Sequence, residues 1–134
     1  MPLDHIQPEG LFESNQFGFT QVVTSPPGQL VFVSGQVAFD ENAQVVGGSD
    51  LGAQAEQALS NLGRALDAVG ATPADVAFLR IYIANYEPSK LAALGPLLPK
   101  FFGAKLPAQT LLGVQALATP ALLIELEALA VVGG

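Results

Sequence analysis

Apolar residues recur every three or four positions between 50 and 69. Leu51, Ala55, Ala58, Leu59, Leu62, Ala65, Leu66 and Val69 share one stripe, and the spacing predicts an amphipathic helix over residues 50–69. Ser49 or Asp50 can cap its first turn, and Gly70 stands where a left-handed cap belongs. Gln54, Gln57, Asn61, Arg64 and Asp67 then fall largely on the wet face. Elsewhere the period is two. Over residues 76–84, Val76, Phe78, Arg80 and Tyr82 alternate with Ala77, Leu79, Ile81 and Ile83. This predicts a strand with one apolar face against helices and one face bearing an arginine and a tyrosine. Over 121–132, Leu122, Ile124, Leu126, Ala128 and Ala130 alternate with Leu123, Glu125, Glu127, Leu129 and Val131. Further strands are expected at 17–23, 30–34 and 106–117, with room for a short extra one at 44–46. A second helical segment runs from 88 to 102. Pro96 and Pro99 lie inside it, so a break is expected near Gly95, with Pro96 opening a new turn.

Turn clusters at 24–29 and 118–120 suggest a hairpin at each end and the order β-β-α-β-α-β-β. Short connections favour antiparallel neighbours with both helices on one face. The expected architecture is a two-layer α+β sandwich in one domain, residues 1–134, whose open sheet face is covered by neighbouring subunits. Composition points the same way. Half of the residues are hydrophobic and 13% are charged, with a mean hydropathy of +0.43. No apolar run reaches the ~18 residues a membrane span needs, and the greasiest stretch, 116–134, carries Glu125, Glu127 and Pro120. A subunit interface is the expected sink for the surplus.

Five Lys/Arg stand against twelve Asp/Glu, a net charge of −7. Arg64, Arg80, Lys90, Lys100 and Lys105 are too scattered for a basic stripe, which argues against nucleic-acid binding. No cysteine is present, which excludes thiolate metal sites and a Cys nucleophile. With no signal-like N-terminus, a cytoplasmic protein is expected. His5, the one histidine, lies in an N-terminal tail and makes no metal site alone. Ser34 has no histidine to activate it, and Gly47-Gly48 fits no phosphate loop. Two constellations remain. Glu125 and Glu127 share a strand face: either a rim or interface pair, or a carboxylate that positions water or shuttles a proton. Arg80 with Tyr82 is either an interface ion pair or an anion anchor.

Five ordered motifs resemble the RidA/YjgF family, formerly labelled L-PSP endoribonucleases. They are Val33-Ser34-Gly35-Gln36-Val37, a Gln54-x4-Leu59-x-Asn61 helix pattern, Asp75-Val76 with Ile81-Tyr82-Ile83, Pro107-Ala108-Gln109-Thr110, and Ile124-Glu125-Leu126-Glu127-Ala128. The resemblance implies a chorismate-mutase-like fold, a homotrimer with a small-molecule ligand in clefts between subunits, and no cofactor. Its enzymatic branch hydrolyses 2-imino and enamino acids. Carried over by residue, the water-positioning glutamate falls at Glu125, the serine at Ser34 beside Gly35, and the end of the arginine motif at Thr110. Three positions depart from the pattern. The arginine that grips the substrate carboxylate falls at Gln109, the early tyrosine at Phe19, and the pocket asparagine at Gly95. Replacing the arginine by an amide costs a shielded carboxylate about 2–5 kcal/mol of binding, unless Lys105 or Arg80 supplies the charge. Glutamine instead suits a neutral or amide-like ligand. The leading expectation is a trimer with weak or altered deaminase activity. The alternatives are a working deaminase using Glu125, an endoribonuclease or translation inhibitor, and a chaperone-like interaction module.

Overall fold

A computed structural model describes residues 2–133. Strand β1 (Asp4–Ile6) pairs antiparallel with β2 (Val22–Thr24) in a small ribbon. The main sheet holds β3 (Gly28–Gln36), β4 (Val76–Ala84), β5 (Ala108–Val114) and β6 (Ile124–Gly133), in the spatial order β3-β6-β4-β5. Helix α1 (Leu51–Asp67) follows β3, and α2 (Leu91–Leu94) and α3 (Leu97–Phe102) lie between β4 and β5.

The helix and break signals are where the pattern puts them. Asp50 caps α1 by accepting from Ala53 N at 3.2 Å, and Gly70 adopts a left-handed φ of 72°. The second helical segment divides at Gly95 and Pro96. Pro99 falls in the first turn of α3, where the missing N–H costs nothing.

Strand pairing departs from expectation at both ends. Residues 17–23 do not form a strand that pairs with β3. Phe17 closes a 3-10 turn (Asn15–Phe17), and only Val22–Thr24 is extended, joined to β1. His5 is thus part of a ribbon and not a loose tail. Nor do the last two strands make a hairpin. β5 pairs in parallel with β4, while β6 inserts between β3 and β4, antiparallel to both. The connection through residues 85–107 is long and helical, which is what a parallel pair requires, so the sheet is mixed. The short strand expected at 44–46 reduces to one bridge between Phe39 and Val45.

The helices cover one face of the sheet. Leu62 and Leu66 of α1, Leu94 of α2 and Leu98 of α3 pack on Leu79, Ile81, Ile83, Ile124 and Leu126. Val76 joins this core although strict alternation puts it with Arg80. A bulge between Val76 and Phe78 reverses the face. Gln54 also departs from the wet face. It is fully buried, its Nε2 donates to Gly48 O at 2.7 Å and Ala121 O at 2.9 Å, and its Oε1 accepts from Leu123 N at 2.9 Å. Asn61 works similarly at the other end of the helix, donating to Val37 O and Phe39 O. The motif Gln54-x4-Leu59-x-Asn61 therefore holds two loops to α1 around a core leucine.

Candidate functional site

The open face of the sheet carries Arg80 and Tyr82 of β4 beside Glu127 of β6. Arg80 Nη1 donates to Glu127 Oε1 at 2.5 Å, and the Tyr82 hydroxyl donates to the same oxygen. Those bonds, the Tyr82 one foremost, hold the Glu127 carboxyl below the usual carboxylate range. Arg80 also lies over the Phe78 ring, 5.2 Å from its centroid. The guanidinium is thus engaged on the face opposite the helices. Thr110 is its register neighbour on β5 and is exposed.

Glu125, two residues before Glu127 on the same face, meets a different environment. Its carboxylate lies over the Cα of Gly35, so close that a Cβ there would overlap Oε2. This approach coincides with the register shift between Val33 and Gln36, where β3 departs from regular pairing with β6. Ser34 is exposed next to it, and its carbonyl accepts from Gln36 Nε2 at 3.1 Å. Glu125, Gly35 and Ser34 are brought together.

Gln109 sits elsewhere. It lies on β5, opposite Leu79, on the face toward the helices. With Gly95, Phe17, Gly18, Leu98 and Leu111 it lines a cavity of about 450 Å³ between the α2–α3 break and the N-terminal segment. Gln109 Oε1 is buried there and meets no donor among the described residues. Phe19 does not line this cavity; its ring packs edge-on against Phe12, which also contacts Phe17. Lys105 is exposed, outside the lining, and together with burial lowers the pKa of His5.

The residues of the N-terminal wall carried no motif in the sequence. Glu13 builds it by accepting from Asn15 N at 2.9 Å and Gln16 N at 3.2 Å. Those backbone bonds hold its carboxyl below the ordinary value. Gly18 turns the chain at φ 93°, with Leu98 against it. Thr20 fixes the wall to the segment leading into β5, its hydroxyl donating to Leu106 O at 2.5 Å and its amide to Pro107 O at 3.0 Å. The only local signals were Gly18 and the polar cluster at Glu13-Ser14-Asn15.

The candidate residues therefore form two groups. One is Gln109 with Gly95. The other is Glu125 with Gly35 and Ser34. β5 and β3 are opposite edges of the sheet, about 14 Å apart at three strand spacings. Among the described residues no three His, Asp or Glu side chains cluster to hold a metal, and no helix is long and apolar enough to cross a membrane.

This is an α+β protein with one helix-covered mixed sheet and a split set of polar positions: Gln109 on the β5 edge, and Glu125 on inner strand β6 beside the β3 edge. Residues 14–132 match the family described as endoribonuclease L-PSP, and the chain belongs to that family. A Rid-family protein of unknown function from Yersinia pestis, YyfB, is 45% identical, with a TM-score of 0.95 over 98% of this chain and 100% of that one. Rv2704 of Mycobacterium tuberculosis, a YjgF/YER057c/UK114 family member, is 32% identical, with a TM-score of 0.66 over 97% and 99%. RidA from an Antarctic Psychrobacter is 26% identical, with a TM-score of 0.71 over 85% and 88%.

Proposed function

We propose that the protein is a cytoplasmic Rid-type homotrimer that binds a small metabolite in clefts between subunits, with weak or altered 2-imino/enamino acid deaminase activity. The observation that carries this reading is the division of the site. Gln109 and Gly95 lie at one edge of the sheet, and Glu125, Gly35 and Ser34 toward the other. No single copy can bring them around one ligand, whereas a neighbour placing its β3 edge, with Glu125 behind it on β6, against the β5 edge completes the set. The open face supports such packing. Phe32 is 78% exposed and Leu30 57%, neighbouring apolar side chains on one face of β3 that a partner surface would cover.

In the completed cleft Glu125 has the freer carboxylate, since Glu127 is bonded to Arg80 and Tyr82. Glu125 would orient water toward an imine carbon, and loss of ammonia would leave the carbonyl product. Gln109 cannot grip a substrate carboxylate as a guanidinium does. A fully working deaminase is the second reading, favoured by the retention of Glu125 over Gly35. RNA cleavage has less support. The net charge is −7, and the one histidine has both ring nitrogens buried in the β1–β2 ribbon.

Sedimentation of the purified protein tests the trimer, and a monomer at micromolar concentration would sink it. Imine hydrolysis, with substrate made in place by an amino-acid oxidase, tests the chemistry. Weak activity that rises in Gln109→Arg and vanishes in Glu125→Gln is the expected result. Activity indifferent to Glu125→Gln would remove the catalytic role of that residue.

A further inference from the structure

Gln109 is not backed by a cation elsewhere in its surroundings. Among the described residues, none that lines the cavity is charged. Its walls are Phe17, Leu91, Leu94, Leu98 and Leu111, with Pro96 and Pro99 at the helix break and the neutral polar Asn15 and Gln16 on the N-terminal side. All five basic residues of the chain lie outside this lining. Arg80 is bonded to Glu127 on the opposite face. Lys90 donates to Ala84 O and Asn85 O. Lys100 lines a separate groove with Glu56, and Arg64 a third with Asp40 and Glu41. Lys105 is exposed beside His5. A carboxylate entering the cavity would lose hydration with no cation to replace it. If the cleft is completed as proposed above, the incoming Glu125 adds a negative charge and makes the site still less hospitable to an anion.

Gln109 Oε1 is buried in the cavity and meets no donor among the described residues, a state that buried polar atoms rarely keep. A carboxamide side chain has both an acceptor and donors, so an amide group can face it with two complementary hydrogen bonds. At the mouth, Phe17 is 63% exposed and braced edge-on by Phe12, a surface suited to an aromatic or apolar body.

We propose that the Gln109 cavity selects an uncharged, amide-like ligand with an apolar or aromatic body and rejects carboxylates. This rests on the cleft reading above and names the ligand class of that cleft. The reaction it admits is hydrolysis of neutral imines or enamines, water adding at the C=N carbon and ammonia leaving, in place of their 2-carboxylate counterparts.

Three compounds of one skeleton test it: 3-phenylpropanamide, 3-phenylpropanoate and 3-phenylpropylammonium, titrated calorimetrically into the assembled protein. The wild type should bind the amide about tenfold more tightly than the carboxylate. Gln109→Leu should abolish that preference, and Gln109→Arg should invert it. In the unmodified protein, the side-chain amide resonances of Gln109 should shift on adding the amide, a readout that needs no variant. Equal or tighter binding of the carboxylate or the ammonium compound by the wild type would overturn the ligand class. So would an amide preference that survives Gln109→Leu. In either case, capture of the carboxylate by Gln109→Arg would leave the cleft reading standing. If neither wild type nor Gln109→Arg binds any of the three, the cleft reading fails and the ligand class falls with it.

Discussion

The two faces of the main sheet are made from the same four strands and meet different partners. Against the helices, Leu79, Ile81, Ile83, Ile124 and Leu126 are wholly excluded from water within one copy of the chain. On the other face Phe32, Leu30 and Leu112 remain exposed around the Arg80–Tyr82–Glu127 network. Each large apolar side chain that goes from exposed to buried contributes about 1.5–3 kcal/mol. The helix side therefore carries the stability of the single copy, and the open side is the one that the proposed assembly would bury. The two glutamates of β6 belong to that open side and show how finely it is divided. Glu127 is bound to its neighbours across the strands, and Glu125 rests on a glycine at a register shift.

The sharpest way to test this contrast is to damage the helix side. Leu126→Ala should lower unfolding free energy by about 2–5 kcal/mol, measured by urea denaturation, whatever the protein concentration. Next comes Gln54→Leu, which keeps the volume but strips partners from Gly48 O, Ala121 O and Leu123 N. It should cost about 1–3 kcal/mol in the same experiment, and an unchanged denaturation midpoint would show that water replaces the staple freely. On the open side, Phe32→Ser should move the fold of the single copy by no more than about 0.5 kcal/mol. Its effect should appear in sedimentation, as dissociation of the assembly. A variant that unfolds without dissociating first would erase the distinction between the faces.

The smallest effect belongs to acid. Glu127 titrates below the ordinary carboxyl range because Tyr82 and Arg80 bond its ionised form. The stability this contributes is present above the unfolded-state value and is lost as pH falls through the lowered folded one. The pair is substantially exposed, so Glu127→Gln should shift the neutral-pH melting temperature by less than about 4 °C and flatten the acid limb of its pH profile. An acid limb identical to that of the wild type would show that Glu127 adds nothing to folding.

Periodicity reported the faces well and the neighbours poorly. Alternation over 121–132 put Leu122, Ile124, Leu126, Ala128 and Ala130 on one face, and all five are buried. The three- and four-residue spacing located α1, and Pro96 located the helix break. Alternation does not say which strand lies beside which. A short turn at 118–120 reads as a hairpin, yet from the β5 edge the chain passes β4, and β6 lies between β4 and β3. Gln54 looked solvated because a helical wheel records polarity and not the loop carbonyls that return from residues 48 and 121 to meet it. The candidate positions were legible as residue types. Their separation to opposite edges was not, because it follows from strand order, and the wall at Asn15–Gly18 depends on a chain segment with no regular period.

Gln54 also has a consequence for how the molecule opens. The amide of Leu123 precedes β6 and has no strand partner for its hydrogen, yet it donates to a fully buried side chain on a helix 69 residues earlier. A local fraying of the strand end does not free it, since the acceptor belongs to α1. Its deuterium uptake therefore follows separation of helix from sheet, and one backbone hydrogen outside the regular ladder becomes a clock for the opening of the whole core.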